Sequence, residues 1–164
     1  MRKVADTLLM RMAEYEKGCP KRMQHLLKVH AFAALIGRSE KLEEKVQATL
    51  ELAAILHDIG IKPSLEKYGT GAGPYQEKEG PAYALEMMKD LPVPEEMQQR
   101  ICYLIAHHHT YFVTDEMDLQ ILWEADFLVN LYEGSEGEEA VRNAYDRIFR
   151  TECGKQLMRD MFFS

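Results

Sequence analysis

Residues 46–60 read VQATLELAAILHDIG, and this stretch decides how the chain folds. At about 100° per residue, Val46, Leu50, Ala53 and His57 fall on one stripe of a helix, with Ala54 and Asp58 running alongside. The approach, LAAIL, leaves no wet face, so an imidazole and a carboxylate close an almost wholly apolar turn. An ionised carboxylate there is costly unless a cation or several hydrogen-bond donors compensate it. A divalent metal is one such cation, and imidazole with carboxylate suits iron, manganese, nickel or zinc. The plainer alternative is a His at the helix C-terminus, with its Asp turned to solvent or capping the next loop.

Helical spacing recurs on both sides of this stretch, and strand-period alternation is almost absent. The pattern predicts helices near 2–17, 20–38, 42–59, 80–90, 94–109, 116–133, 137–150 and 154–162. The fold class is therefore all-α, a compact helical bundle. Breakers support the divisions. Pro20 suits a first helical turn, Gly60 closes the third helix, Pro81 and Pro94 open the next two, and Gly134 ends the sixth. The one long irregular stretch is 61–79, with Pro63, Gly69, Gly71, Gly73 and Pro74. A loop of that length in a compact domain points to function or mobility.

Three further groups could carry chemistry. In RMQHLLKVHAFAALIG (22–37), His25 shares a stripe with Val29, Phe32 and Ile36, while His30 lies well around the helix. Taken singly, His25 also reads as a core histidine with one backbone partner. In LQILWEADFLVNLYEG (119–134), Glu124, Asp126 and Asn130 interrupt an apolar run; the two acids face nearly opposite sides, and periodicity does not choose between them. In the triplet His107-His108-His109, His108 continues the stripe of Met97, Ile101 and Leu104, and its neighbours splay to either side. A surface cluster that takes up metal adventitiously is the competing account of this triplet.

His25, the His57-Asp58 pair within AAILHDIG, and Asp126 within EADFLVN together resemble the H…HD…D signature of HD-domain metal-dependent phosphohydrolases. That resemblance implies a helical bundle in which His25, His57, Asp58 and Asp126 bind a divalent cation (Mn, Fe, Ni, Co or Zn), and it selects Asp126 over Glu124 and His25 over His30. It further implies that His107 and His108 stabilise charge, protonate a leaving group or, with Glu77, hold a second ion. Two departures stand out. Where many relatives read HDIGK, this chain reads HDIGIKP, which moves the cation to Lys62, a residue expected to orient substrate phosphate. Where dinuclear relatives carry another His, GPYQEKEGPA offers Gln76 and Glu77. The glycine-rich KYGTGAGPY lacks the Gly-Lys-Ser/Thr of a Walker loop; Lys67, Tyr68, Tyr75 and Lys78 around it are candidate substrate contacts.

The chain has 164 residues, enough for one domain with its own core, in which residues of about 20–133 carry the motif. The first helix and those of 137–162 are expected to cover this core or to form an oligomer contact. With 20 basic against 27 acidic residues, the formal charge of −7 argues against a broad grip on a nucleic-acid polymer. A small phosphorylated substrate, such as a nucleotide, remains compatible, because a metal and a few local cations set the potential in a cleft. Three cysteines form no CxxC pair, and neither a signal peptide nor a membrane span is legible, so a soluble cytoplasmic protein is expected. The leading functional expectation is hydrolysis of a phosphomonoester or phosphodiester by metal-activated water, with Asp58, His108, His107 and Lys62 closest to the chemistry. A nucleotide- or metal-binding sensor without turnover is the second account, and a di-iron oxygenase on the same ligand shell the third.

Overall fold

A computed structural model of the chain describes residues 1–113 and 115–164. Nine helices run through these residues, with no strand among them: α1 (Arg2–Tyr15), α2 (Pro20–Ser39), α3 (Glu44–Leu56), α4 (Ile61–Tyr68), α5 (Gly73–Met88), α6 (Glu95–His107), α7 (Met117–Glu133), α8 (Glu138–Arg147) and α9 (Glu152–Phe162). The centre is a three-helix packing of α2, α3 and α7. From Leu52 to Leu56, α3 is buried on every side. Between Asp118 and Leu131, only Gln120, Phe127 and Asn130 of α7 escape full burial. That all-round apolar character marks a central helix rather than an amphipathic surface one. Burying each of these Leu and Ile side chains contributes about 1.5–3 kcal/mol before ordering entropy is subtracted.

Around this core, α1 packs on α3, α6 closes one side with α5 against it, and α9 covers α7 and α2 while α8 leans on α7 and α9. One polar device ties the C-terminal cover to the centre. Glu124 is fully buried, and its carboxylate accepts from the Arg150 and Thr151 backbone N–H groups (2.7 and 2.9 Å), from Gln120 Nε2 (2.8 Å) and from the Thr151 hydroxyl (2.5 Å). Thr151 is in turn the N-cap of α9, accepting from Gly154 N–H at 2.9 Å. The second acid in the α7 run is thus a structural anchor, satisfied by four donors.

The stretch 61–79 is not a loop. It forms α4 and the first two turns of α5, separated by a few residues around Gly69, whose φ of 71° supplies the left-handed end of α4. Its prolines read as breakers but sit where the helix tolerates them. Pro63 lies in the first turn of α4 and Pro74 in that of α5, where a backbone N–H has no intrahelical partner to lose. Pro81, expected to open a helix, instead lies inside α5. Tertiary packing holds it there: a Cβ on Gly80 would come within 2.6 Å of Ile105 on α6, and one on Gly60 would overlap the Gln76 carbonyl oxygen. Two glycines therefore let α5 lie almost backbone-to-backbone on the end of α3.

Candidate metal centre

The helix ends build the site. α3 stops at Leu56, so His57 is its C-cap and Asp58 lies just beyond; α6 stops at His107, with His108 as its C-cap. The last carbonyls of a helix lack intrahelical donors. Each C-cap histidine fills one of them with its own ring: His57 Nδ1 donates to Ala54 O at 2.7 Å, and His108 Nδ1 to Ile105 O at 2.6 Å. A carbonyl can only accept, so Nδ1 carries a proton and Nε2 is the atom that faces inward. His25 reaches the same state from α2. Its Nδ1 lies 3.0 Å from Glu133 Oε2, and Lys28 binds the other oxygen of that carboxylate at 2.7 Å.

The inward atoms converge. His25 Nε2 stands 3.3 Å from His57 Nε2, 3.3 Å from Asp58 Oδ2 and 3.2 Å from Asp126 Oδ1. His57 Nε2 is 3.5 Å from each of the same two carboxylate oxygens. Two donors bound at right angles to one ion, each about 2.0–2.2 Å from it, are themselves about 3 Å apart. The spacing therefore suits a shared cation. Ligand atoms of His25, His57 and Asp58 all lie within 4.8 Å of one another; Asp126 adjoins this trio through the two imidazoles.

A second group shares Asp58. Its other oxygen, Oδ1, is 3.5 Å from His108 Nε2, and His109 completes a trio within 4.8 Å. Among the described residues, the buried Nε2 of His108 has no hydrogen-bond partner. An orphaned imidazole nitrogen aimed at a carboxylate is what a metal ligand looks like without its ion, since such a group is otherwise expensive to bury. The Asp58 side chain keeps 21 % of its surface open and marks the mouth of the cleft.

Electrostatics show the demand for positive charge. Burial by itself opposes a proton on His57, yet Asp58 and Asp126 outweigh it and push the imidazole up to about 9. Burial likewise works against charge on both carboxyls; the histidines overcome it and hold Asp58 and Asp126 well below the usual carboxylate range. His109 moves the other way, down to about 4, because burial and the neighbouring His108 both disfavour its cation. It is a neutral group at pH 7.

The structure does not bring every expected residue here. His107 stays on the outer side of α6, its Nδ1 on Tyr103 O (2.8 Å) and its ring stacked on Tyr103 at 4.0 Å; the place expected for it belongs to His109. Helical periodicity stops at His107, so it carried no information about the direction of His109. Glu77 does not join either trio. Its carboxylate accepts from His109 N–H (2.9 Å) and Thr110 Oγ1 (2.8 Å) and so holds the turn that carries the histidines. Gln76 is the neighbour that faces in, with Oε1 3.3 Å from His109 Nε2. Lys62 is drawn off to the end of α1, donating to Tyr15 O at 3.2 Å and lying over the Tyr15 ring. Lys67, Tyr68, Tyr75 and Lys78 instead engage one another and Glu79 on the exposed side of α4 and α5. His30 stands 3.6 Å from Glu51, apart from the cluster. Glu133 went unnoticed in the sequence, although it lies seven residues, two helical turns, beyond Asp126 on the same face.

The family model of the HD domain matches residues 22–148, which include all of these ligands. The chain belongs to the HD-domain family. No curated protein and no solved structure matches it significantly. HD domains bind divalent metals, and in this HD domain the fitting donors are the trio His25, His57 and Asp58 with Asp126 beside them, and the trio Asp58, His108 and His109. Among the described residues, no helix is long and apolar enough to cross a membrane.

Proposed function

We propose that this HD domain is a metal-dependent phosphohydrolase acting on a small phosphorylated metabolite, a nucleotide or another phosphoester. The observation that carries the reading is Asp58, whose two oxygens face two separate histidine groups across an open mouth. A divalent ion held there would neutralise phosphoryl charge and lower the pKa of an attacking water.

The chain's own residues supply the rest. Nδ1–H bonds to Ala54, Ile105 and Glu133 lock three imidazoles in the tautomer that presents Nε2, so little reorganisation is needed. His109, which lies 3.3 Å from both Gln76 Oε1 and the Tyr111 hydroxyl, is positioned by them beside Asp58 and His108 as a donor of the second trio. With Lys62 turned away, α2 offers the cations, Arg22 and Lys28, one turn on either side of His25. Arg22 feels the Asp58 charge, and among the described residues only its Nε is engaged, by Glu16 at 2.6 Å. Its terminal nitrogens can orient phosphate oxygens.

Elemental analysis and a phosphoester panel with added manganese, cobalt or nickel test the reading. Asp58→Ala should abolish bound metal and turnover with the helical circular dichroism retained, and His30→Ala should change neither. Full hydrolysis by Asp58→Ala would refute the assignment. Intact metal binding without hydrolysis of any ester would favour the sensor account.

A further inference from the structure

Between α7 and α8 lies an open groove of about 500 Å³, lined by none of the candidate metal donors. Its volume is that of a small-molecule pocket. The walls are apolar, with Tyr111, Phe127 and Leu131 on one side and Ala144 and Ile148 on the other. Polar groups are few: Asn130 lies on the side of the metal centre, and Glu136, Asn143 and Arg147 complete the lining.

Two of the lining residues also touch the metal cluster. Asn130 Nδ2 donates to Asp126 Oδ1 at 2.8 Å, and the Tyr111 hydroxyl lies 3.3 Å from His109 Nδ1. One carboxamide and one phenol therefore border both the groove and the metal cluster. Phe112, 75 % exposed, extends the apolar surface at the rim.

We propose that this groove receives the organic portion of the substrate, and that the preferred substrate is a phosphomonoester whose alcohol carries a ring system or comparable apolar body. This rests on the phosphohydrolase reading and specifies its substrate class. The groove's volume and largely apolar lining favour a single ring-bearing group.

The test compares 1-naphthylphosphonate with methylphosphonate as non-hydrolysable ligands, by titration calorimetry on the metal-loaded protein, alongside turnover of 1-naphthyl phosphate and glycerol phosphate. The naphthyl ligand should bind about tenfold to a hundredfold tighter, the gain expected from burying a ring. Ala140→Trp and, independently, Asn143→Trp fill the groove from α8. Either should abolish that preference and raise KM for naphthyl phosphate about tenfold or more, with metal content and glycerol phosphate turnover unchanged. Equal affinity for the two phosphonates, or a preference that survives both tryptophans in folded protein, overturns the proposal. The same holds if light scattering shows a second copy of the chain covering the groove. Selective naphthylphosphonate binding without hydrolysis of any ester would sink the phosphohydrolase reading and leave the pocket standing.

Discussion

The cluster should exchange protons for metal, and the structure sets the size of that exchange. Asp58 and Asp126 hold a proton on His57 up to about 9, although a free imidazole loses it near 6.5. A cation taking the Nε2 position must displace that proton. At pH 7, two units below the His57 value, the competition weakens apparent affinity about a hundredfold, or about 3 kcal/mol. Affinity should therefore rise by about one log unit per pH unit toward pH 9 and level off above it. His25, also shifted upward, steepens the lower part of the curve. The chelator-stripped protein should move in the opposite sense. A group whose folded pKa is raised stabilises fully below its unfolded value, so the contribution of His57 is complete below about 6.5 and is lost as pH climbs through about 9. Competition against a chromophoric chelator and urea denaturation of stripped protein, both from pH 6 to 10, follow the two curves. A flat affinity profile, or stripped protein that gains stability across the window, would refute the reasoning.

Other perturbations have equally definite outcomes. Glu133→Ala removes the acceptor that fixes His25, and metal affinity should fall about tenfold to a hundredfold, with partial recovery in Glu133→Gln, whose amide oxygen still accepts. Glu124→Ala strands the Arg150 and Thr151 N–H groups; urea denaturation should show a loss of about 3 kcal/mol or more, with metal stoichiometry in folded protein unchanged. Gly60→Ala drives a methyl group into the Gln76 carbonyl, so stability should drop by about 1–3 kcal/mol. His109→Ala should lower the number of ions bound at saturation, and His107→Ala should not; the reverse result would restore the role for His107 that the family resemblance implied.

Legibility followed the physics of each residue. His57 and Asp58 stand out in the sequence because they end an apolar helical run, where a polar group is expensive without a partner; His25 and Asp126 were singled out by the resemblance to the HD-domain signature. The choice between Glu124 and Asp126 was not legible from periodicity, because both are buried in α7 and differ only in what waits for them: backbone donors at the start of α9 for one, two imidazoles for the other. His109 and Gln76 lie beyond or between periodic stretches, where the direction of a side chain depends on the neighbouring helix. The helices α4 and α5 were obscured because glycine and proline signal breaks locally, whereas Pro63 and Pro74 occupy first turns and Gly60 and Gly80 permit close packing.

By itself, then, the amino-acid order determined an all-helical chain with ionisable groups planted in its interior, because helix periodicity and the penalty for burying charge are local properties. Which of those groups meet, which way each imidazole carries its proton, and where a groove opens beside them were decided only by tertiary structure. Those outcomes depend on distances of 3 to 4 Å between segments up to a hundred residues apart, and no local pattern encodes them.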